Sequence, residues 1–397
     1  MKIERIHIKN FRALYDVELR DVPSLAVFVG ENGSGKSTLF NVFGFLKDAL
    51  KNNVSTALQV IGGFNEVATR GHCNEPIVIE IQFRMTISNV ERLVTYRLEI
   101  FTDEHGIPFI QREILRYKRG RYGSPFHFLD FNKGRGYAIS NEEDFDKPDE
   151  ALTKDEQTLE SSNILAIKGL GQFQRFKAAS AFRSLIENWH VSDFHITAAR
   201  QRVEAGVAEH LSESGDNLPL VTRNLYERDS ETFAQILKKF RERIPGMSEV
   251  TTVVTQDGHV LLRFQDGSFK DPFIARYVSD GTIKMFAYLV LLHDPNPHPF
   301  LCIEEPENQL YPKLLGALVE ELRDYAKHGG QVFVSTHSPD VLNHVEIDEA
   351  FFLKKENGAT KVHRLAADKQ VKALIDAGDK LGWLWNQDLL ERSNHTT

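Results

Sequence analysis

Three short stretches bring together residue types that could handle a nucleotide triphosphate. The first is GENGSGKST, from Gly30 to Thr38, which fits the pattern G-x-x-x-x-G-K-[ST]. Gly30, Gly33 and Gly35 let the backbone N–H groups of Glu31, Asn32 and Ser34 close around phosphate oxygens, and the helix start beyond adds its positive dipole end. Lys36 would reach the β and γ phosphates, and Ser37, next to Thr38, would offer its hydroxyl to Mg2+. The second stretch is PFLCIEE (299–305), an apolar run that ends in two adjacent acids. Two like charges there are relieved by a divalent cation and by a water that one of them orients. On that reading Glu304 is the acid on the Mg2+ side and Glu305 polarises the attacking water. Aspartate is commoner at the first position, and the longer glutamate leaves direct and water-mediated coordination both open. The third is QVFVSTHSP (331–339), whose His337 follows a β-rich run and suits a sensor of the γ-phosphate.

These residues work only if buried strands deliver them to one end of a sheet. LAVFVG (25–30) is a short apolar run closed by glycine, as expected of a strand covered on both faces, and TLFNVFGFLKDAL continues it as a helix. Ligands of open α/β sheets bind beyond the carboxyl ends of the strands, which is where the two acids would arrive. The helix-length stretch KLLGALVEELRDYAKHGG separates the acids from His337, so a right-handed crossover would set the two strands side by side. Upstream, Ser279, Asp280, Gly281 and Thr282 stand just before a helical run. Taken alone the tetrapeptide reads as an N-cap, although its N–H groups could also hold an anion.

The 397 residues, 41% of them hydrophobic, are enough for a large core and for two lobes or a head with an insertion. A net charge of −8 makes the whole molecule a poor electrostatic match for DNA or an anionic membrane, so any nucleic-acid contact must come from a local patch. Cys73 and Cys302 form no CxxC pair, which fits a reducing cytosol and offers no thiolate zinc site. The start lacks the apolar core of a signal peptide and no uncharged stretch reaches membrane-spanning length, so a cytoplasmic protein without membrane contact is expected.

Four segments are expected: 1–85 and 271–355 as two halves of one head, 86–270 as an insertion, and 356–397 as a C-terminal extension. In the insertion, IVIEIQF and LVTYRLEIF alternate as half-exposed antiparallel strands do. FIQREILRYKRGRYG (109–123) reads as the next hairpin. It gathers Arg112, Arg116, Lys118, Arg119 and Arg121 with Tyr117 and Tyr122, a mixture that could hold phosphates and stack bases. A solvated, charge-protected edge is the favoured reading. An acidic run (141–160), helical stretches near 172–190 and 222–244, and a hairpin turning at Asp257-Gly258 follow. At the C-terminus Trp383, Trp385, Leu389 and Leu390 group together, either docked on the chain itself or offered to a partner.

In order, IERIHIKNFRAL, GENGSGKST, VSDGT, EEPENQLYP and STHSP resemble the stand-alone branch of ABC-type ATPases that includes RecF-like, SMC-like and OLD-like proteins, the group labelled AAA_21 or AAA15. The resemblance covers roughly 1–85 and 270–355. It implies an α/β fold: an ABC-ATPase head with a mixed β-sheet P-loop core, an antiparallel β subdomain and an inserted α/β lid. It implies ATP and Mg2+ as cofactors, and a homodimer or higher oligomer formed head to head around the nucleotides. Ser279 and Gly281 then belong to a signature that completes the other subunit's site, Arg12 approaches the phosphates, and Glu307 and Asn308 fall in the D-loop at the dimer interface. Val-Ser-Asp-Gly-Thr departs from the transporter-type Leu-Ser-Gly-Gly-Gln. Gln82 is a candidate Q-loop residue, with a solvent-facing strand position favoured instead.

No segment sustains the heptads of SMC arms. The 60 residues after His337 are too few for the nuclease domain that OLD-like proteins append. The resemblance therefore leads to an ATP-hydrolysing switch or scaffold that controls a separate effector, expected to be a nuclease, in bacterial antiphage defence. Two alternatives stand beside it: a RecF-like DNA-repair ATPase that binds DNA directly, and a nucleotide-gated scaffold with negligible turnover. Whether nucleic acid is a partner is left open.

Overall fold

Alternation of apolar residues builds the first layer of the chain, with one deliberate interruption. In β1 (Lys2–Phe11) the buried Ile6 and Ile8 keep the two-residue period, whereas Ile3 is out of phase with them. A register shift between Ile3 and Arg5 against the neighbouring strand absorbs the extra residue and returns Ile3 to the core. A computed structural model describes residues 2–87, 89–118, 125–141, 151–192 and 194–392. They form two compact units, Met1–Trp189 with Phe351–Ala367, and His190–Ala350 with Asp368–Thr397.

The first unit continues through β2 (Leu14–Arg20), β3 (Leu25–Val29), α1 (Lys36–Lys51), α2 (Val54–Val60) and α3 (Phe64–Val67). Next come β4 (Ile77–Ile87), β5 (Val90–Thr102), β6 (Pro108–Tyr117), β7 (Phe126–Asn132), β8 (Arg135–Ile139) and β9 (Lys154–Thr158). Eight of these strands make one antiparallel sheet in the order β2-β1-β4-β5-β6-β7-β8-β9. The two alternating stretches expected as strands are β4 and β5. Helices α4 (Ala166–Leu170) and α5 (Lys177–Glu187) follow, and Phe182 of α5 lies 4.9 Å from the Phe83 ring and 4.4 Å from that of Tyr96. Glu113 of β6 is fully buried beneath them. It accepts the N–H groups of Ala166 and Ile167 at the start of α4 and the hydroxyl of Tyr96.

The basic hairpin is β6 and β7 with their connection. Its Tyr117 is buried and stacks on Phe128 at 3.8 Å, so it belongs to the core rather than to a base-stacking face. Arg112 pairs with Asp130 at 3.0 Å, and Arg116 lies 3.9 Å from Glu80. Arg119, Arg121 and Tyr122 lie outside the described residues, as do residues 142–150 of the acidic run.

The second unit opens in β10 (Trp189–Ser192) and runs through α6 (Ile196–Ala199), β11 (Val203–Glu204), α7 (Leu218–Arg228) and α8 (Ser230–Arg243). The stretch expected as one helix near 222–244 is two, because Asp229 leaves the helical region and its carboxylate accepts the Thr232 N–H at 3.1 Å. Strands β12 (Met247–Val254) and β13 (His259–Asp266) form the expected Asp-Gly hairpin, with β11 and β14 (Phe273–Ile274) also on β13. Helix α9 (Asp280–Leu292), β15 (Phe300–Glu304), α10 (Pro312–Lys327), β16 (Gln331–Thr336) and α11 (Pro339–Leu342) complete this stretch. Strands β15 and β16 pair in parallel with Glu304 opposite Ser335, the crossover arrangement expected from the length of α10.

The chain then returns to the first unit as the hairpin β17 (Ala350–Glu356) and β18 (Ala359–Arg364), with β17 beside β3. It ends in the second unit with α12 (Lys369–Asp376), α13 (Leu381–Asn386) and α14 (Leu389–Arg392). Among the described residues no helix is long and apolar enough to cross a membrane.

Candidate functional site

The phosphate loop lies in the first unit between β3, buried at all five positions, and α1. Gly35 has φ +105° and a Cβ there would clash with Thr360 Oγ1. Gly30 sits so close to the Leu353 carbonyl that a side chain would collide with backbone. The hydroxyl of Thr360 donates to the Ser34 carbonyl at 2.8 Å, so the β17–β18 hairpin braces the loop from behind. Lys36 begins α1 and is buried. Its ammonium donates to the Gly30 carbonyl at 2.6 Å and the Glu31 carbonyl at 3.0 Å, folding over the loop it serves. Glu31, Asn32, Gly33 and Ser37 are exposed and Thr38 is half-buried. Ser34 Oγ is buried with no hydrogen-bond partner among the described residues, and a phosphate oxygen would satisfy it. That orphaned hydroxyl and the open space around Gly33, where a Cβ would meet nothing within 4 Å, fit a nucleotide phosphate.

A cavity of about 580 Å3 opens beside this loop, lined among others by Arg12, Tyr15, Gly33, Thr38, His72 and Asn357. The structure thus brings Arg12 to the same cavity as the phosphate loop. Arg12 has φ +51°, its N–H donates to the Val67 carbonyl, and its guanidinium donates to the Ile61 carbonyl at 2.9 Å. The Tyr15 and His72 rings lie 4.1 Å apart on the cavity wall. Neither they nor Asn357 were anticipated from sequence. Asn-Gly at 357–358 signals a hairpin turn, but not that the turn faces the loop. Gln82 sits on β4 with its amide 3.4 Å from Thr95 Oγ1, the strand-surface position favoured for it.

A second cluster stands in the other unit at the carboxyl ends of β15 and β16. Residues Phe300 to Ile303 are buried, Cys302 among them as core packing, and Glu304 is half-buried. Glu305 turns out of the strand with φ +41°, a left-handed conformation that costs a non-glycine residue free energy and is concentrated at functional sites. Its N–H donates to the Ser335 carbonyl at 3.0 Å. Its two carboxylate oxygens are separately engaged, one 3.2 Å from His337 Nδ1 and the other accepting from Asn308 Nδ2 at 3.0 Å. Glu307 accepts from the Thr336 hydroxyl at 2.6 Å and from the His337 N–H at 3.2 Å. Its other oxygen is buried with no hydrogen-bond partner among the described residues.

Ser279 caps α9, its exposed hydroxyl accepting the Thr282 N–H at 3.3 Å, while Arg200 pairs with Asp280 and donates to the Val278 carbonyl. Gly281 packs against the Gln309 carbonyl, where a Cβ would stand at 3.1 Å. One turn further on, Lys284 is buried and donates to the Asn308 carbonyl at 2.7 Å. Burial lowers its pKa to about 8, against the pull of Glu307 and Glu305. Ser279, Gly281, Lys284 and the loop 305–309 are therefore one packed assembly. A further contact comes from α13: Trp385 Nε1 donates to the His337 carbonyl at 3.2 Å, whereas Trp383 is 48% exposed and Leu390 is buried. Chemically, the cluster offers a positioned carboxylate, an imidazole and an amide around one exposed point.

A phosphate loop on a buried strand in the first unit and an acid-tipped parallel strand pair in the second are the elements of a P-loop nucleotide-binding protein. The family described as "AAA domain, putative AbiEii toxin, Type IV TA system" (AAA_21) matches residues 25–343, and the chain belongs to it. The DNA replication and repair protein RecF of Lactococcus lactis subsp. cremoris (strain MG1363) is 23% identical over 145 residues, 35% of this chain and 40% of that protein. RecF of Lactococcus lactis subsp. lactis (strain IL1403) matches to the same extent, so the chain spans less than half the length of these curated relatives. The SmcHead bound to the C-winged helix domain of ScpA shares the fold with a TM-score of 0.56 at 15% identity, over 94% of this chain and 100% of that one. The Smc head domain with an extended coiled coil, bound to the C-terminal domain of ScpA from Pyrococcus furiosus, gives 0.53 at 13% identity over 95% and 99%. The fold is that of an SMC-type head, and the chain is an ABC-type ATPase of the RecF/SMC branch.

Proposed function

We propose that the chain hydrolyses ATP as a head-to-head dimer and uses the closed and open states to control a separate effector. The observation that carries this reading is the Glu305 carboxylate, held out of the strand by a left-handed backbone and oriented on both oxygens by His337 and Asn308. A carboxylate so placed polarises water for in-line attack on the γ-phosphate. Lys36 and the loop from Gly30 to Thr38 hold the triphosphate, Arg12 reaches it from the adjoining cavity, and Ser37 and Glu304 hold Mg2+. When bound, that ion neutralises charge on the β and γ oxygens. Ser279 and Gly281 of a second copy cover the nucleotide, a role supported by the exposure of Ser279. Residues 1–85 and 271–355 form the two halves of the head, 86–270 the lid and 356–397 an extension.

The biological setting we favour is antiphage defence in the cytoplasm with a nuclease as effector. The toxin–antitoxin system in the family description is in keeping with it. The decisive experiment is Glu305→Gln. It should retain ATP binding, accumulate as a nucleotide-bound dimer, and lower turnover by about 100-fold or more. Hydrolysis at the wild-type rate would remove Glu305 from the mechanism. Likeness to RecF favours a second reading, direct DNA binding in repair. Salt-sensitive DNA binding by the purified chain without a partner would select it.

A further inference from the structure

The loop between α9 and β15 reads His293-Asp-Pro-Asn-Pro-His-Pro299. Prolines at 295, 297 and 299 fix φ at alternate positions, so Asp294 and His298 are carried on a stiff backbone. The Asp294 side chain is 5% exposed. One carboxylate oxygen accepts the Asn296 N–H at 2.8 Å and the other faces His210 Nδ1 at 2.8 Å. The His298 ring lies 5.2 Å from that of His210 and stacks at 4.8 Å on His190, and its carbonyl accepts the Tyr325 hydroxyl. Across the gap, Asn217 Nδ2 donates to the His210 carbonyl at 2.9 Å while its Oδ1 accepts the Ser212 N–H at 2.8 Å. The two loops are held by hydrogen bonds to their backbone, from Asn217 to the His210 carbonyl and from Tyr325 to the His298 carbonyl. One ligand-capable atom from each of His210, Asp294 and His298 lies within 4.8 Å of the others.

We propose that His210, Asp294 and His298 bind one divalent transition-metal cation, with zinc as the ion of choice. Two imidazoles and a carboxylate are the N/O set that zinc and its first-row neighbours prefer, whereas Ca2+ and Mg2+ need a shell of oxygens that this site lacks. Tetrahedral zinc with bonds of about 2.0–2.1 Å places its donors about 3.3 Å apart. The His210–Asp294 pair is already closer than that, and the widest gap closes with a side-chain adjustment. A plain His–Asp pair would need neither the second histidine nor a proline-stiffened loop to present it. The fourth position is left to water, reached along the 39% exposed side chain of His210. The ion would clamp the loop carrying His210 to the start of β15, roughly 13 Å along the strand from Glu304. It therefore braces the acid-bearing strand at its far end, and the site stands independently of the hydrolysis scheme.

The test uses the untagged full chain, stripped of metal by a chelator, without nucleotide, and titrated with ZnCl2 by calorimetry. Metal content is then read by atomic absorption, and Co2+ substitution is followed by visible d–d bands. One zinc per chain is expected, with affinity at least about 100-fold weaker in His298→Ala and in His210→Gln. His105→Gln, at a 75% exposed histidine of the first unit, should change nothing. Because the His210 side chain is 39% exposed, His210→Gln keeps the test valid if His298→Ala does not fold. Absence of zinc binding by the wild type, or binding that survives His210→Gln undiminished, would overturn the proposal.

Discussion

Replacing Lys284 by methionine should change how stability depends on pH, by an amount that can be worked from its surroundings. The ammonium is buried in α9 with one hydrogen bond, to the Asn308 carbonyl. Burial takes its pKa from the ordinary 10.5 to about 8. That drop corresponds to about 3 kcal/mol, the cost of holding the charge in the fold. Because the folded pKa lies below the unfolded one, this cost is fully present below pH 8. It is relieved as pH rises from 8 towards 10.5, where the folded lysine has lost its proton and the unfolded one has not.

Methionine removes the charge at similar volume and forfeits one hydrogen bond, about 1 kcal/mol. Near pH 7.5 the variant should therefore be the more stable protein by about 2 kcal/mol, and by pH 10 the two should converge. Side-by-side urea denaturation at both pH values reads the difference, and pH effects common to both proteins cancel. A constant offset across the range would refute the reasoning. The same variant frees Asn308, which orients Glu305, so turnover should fall on the order of tenfold with ATP affinity retained.

Lys36→Ala should abolish ATP binding, measured with a fluorescent nucleotide, because no other ammonium donates to the loop carbonyls among the hydrogen bonds described. Glu113 is pushed up to about 7 by burial, despite the N–H groups of Ala166 and Ile167. Its contribution to stability is lost as pH rises from 4.5 through 7, and Glu113→Gln should flatten that part of the denaturation profile, by about 3 kcal/mol in all. Burial alone would raise Glu321, but hydrogen bonds from His293 and Lys239 outweigh it and hold the carboxyl at about 2, with Arg243 also 3.3 Å away. Glu321→Gln leaves Lys239 and Arg243 uncompensated and should destabilise the second unit by about 3 kcal/mol at neutral pH, seen as a lower urea midpoint. In the wild type that support is lost as pH falls from 4.5 through about 2.

What could be read from sequence was local. The phosphate loop announces itself because its glycines, lysine and serine are consecutive, and the strand before it is a plain apolar run. Glu304 and Glu305 stood out because two charges ended a buried strand. The split at Asp229 had a readable cue, an aspartate three residues before Thr232 with Glu231 in the first turn, and the long helical period hid it. Tyr117 among its arginines read as part of a solvated hairpin, with base stacking as the alternative, and pairing in the sheet instead buries it against Phe128. Lys284 carried a faint signal, a single charge inside the apolar TIKMFAYLVLL, yet its partner is 24 residues away and supplied by backbone. The approach of Tyr15 to His72, and of His210 to Asp294, depends on topology that no residue pattern encodes.

The indole of Trp385 resting on the His337 carbonyl ties α13 to the loop that follows β16. A tail so attached is a handle: whatever pulls on it tugs at the imidazole. Shortening the chain before Leu381, or fusing bulk behind Leu390, therefore alters the imidazole's footing rather than merely trimming a surface.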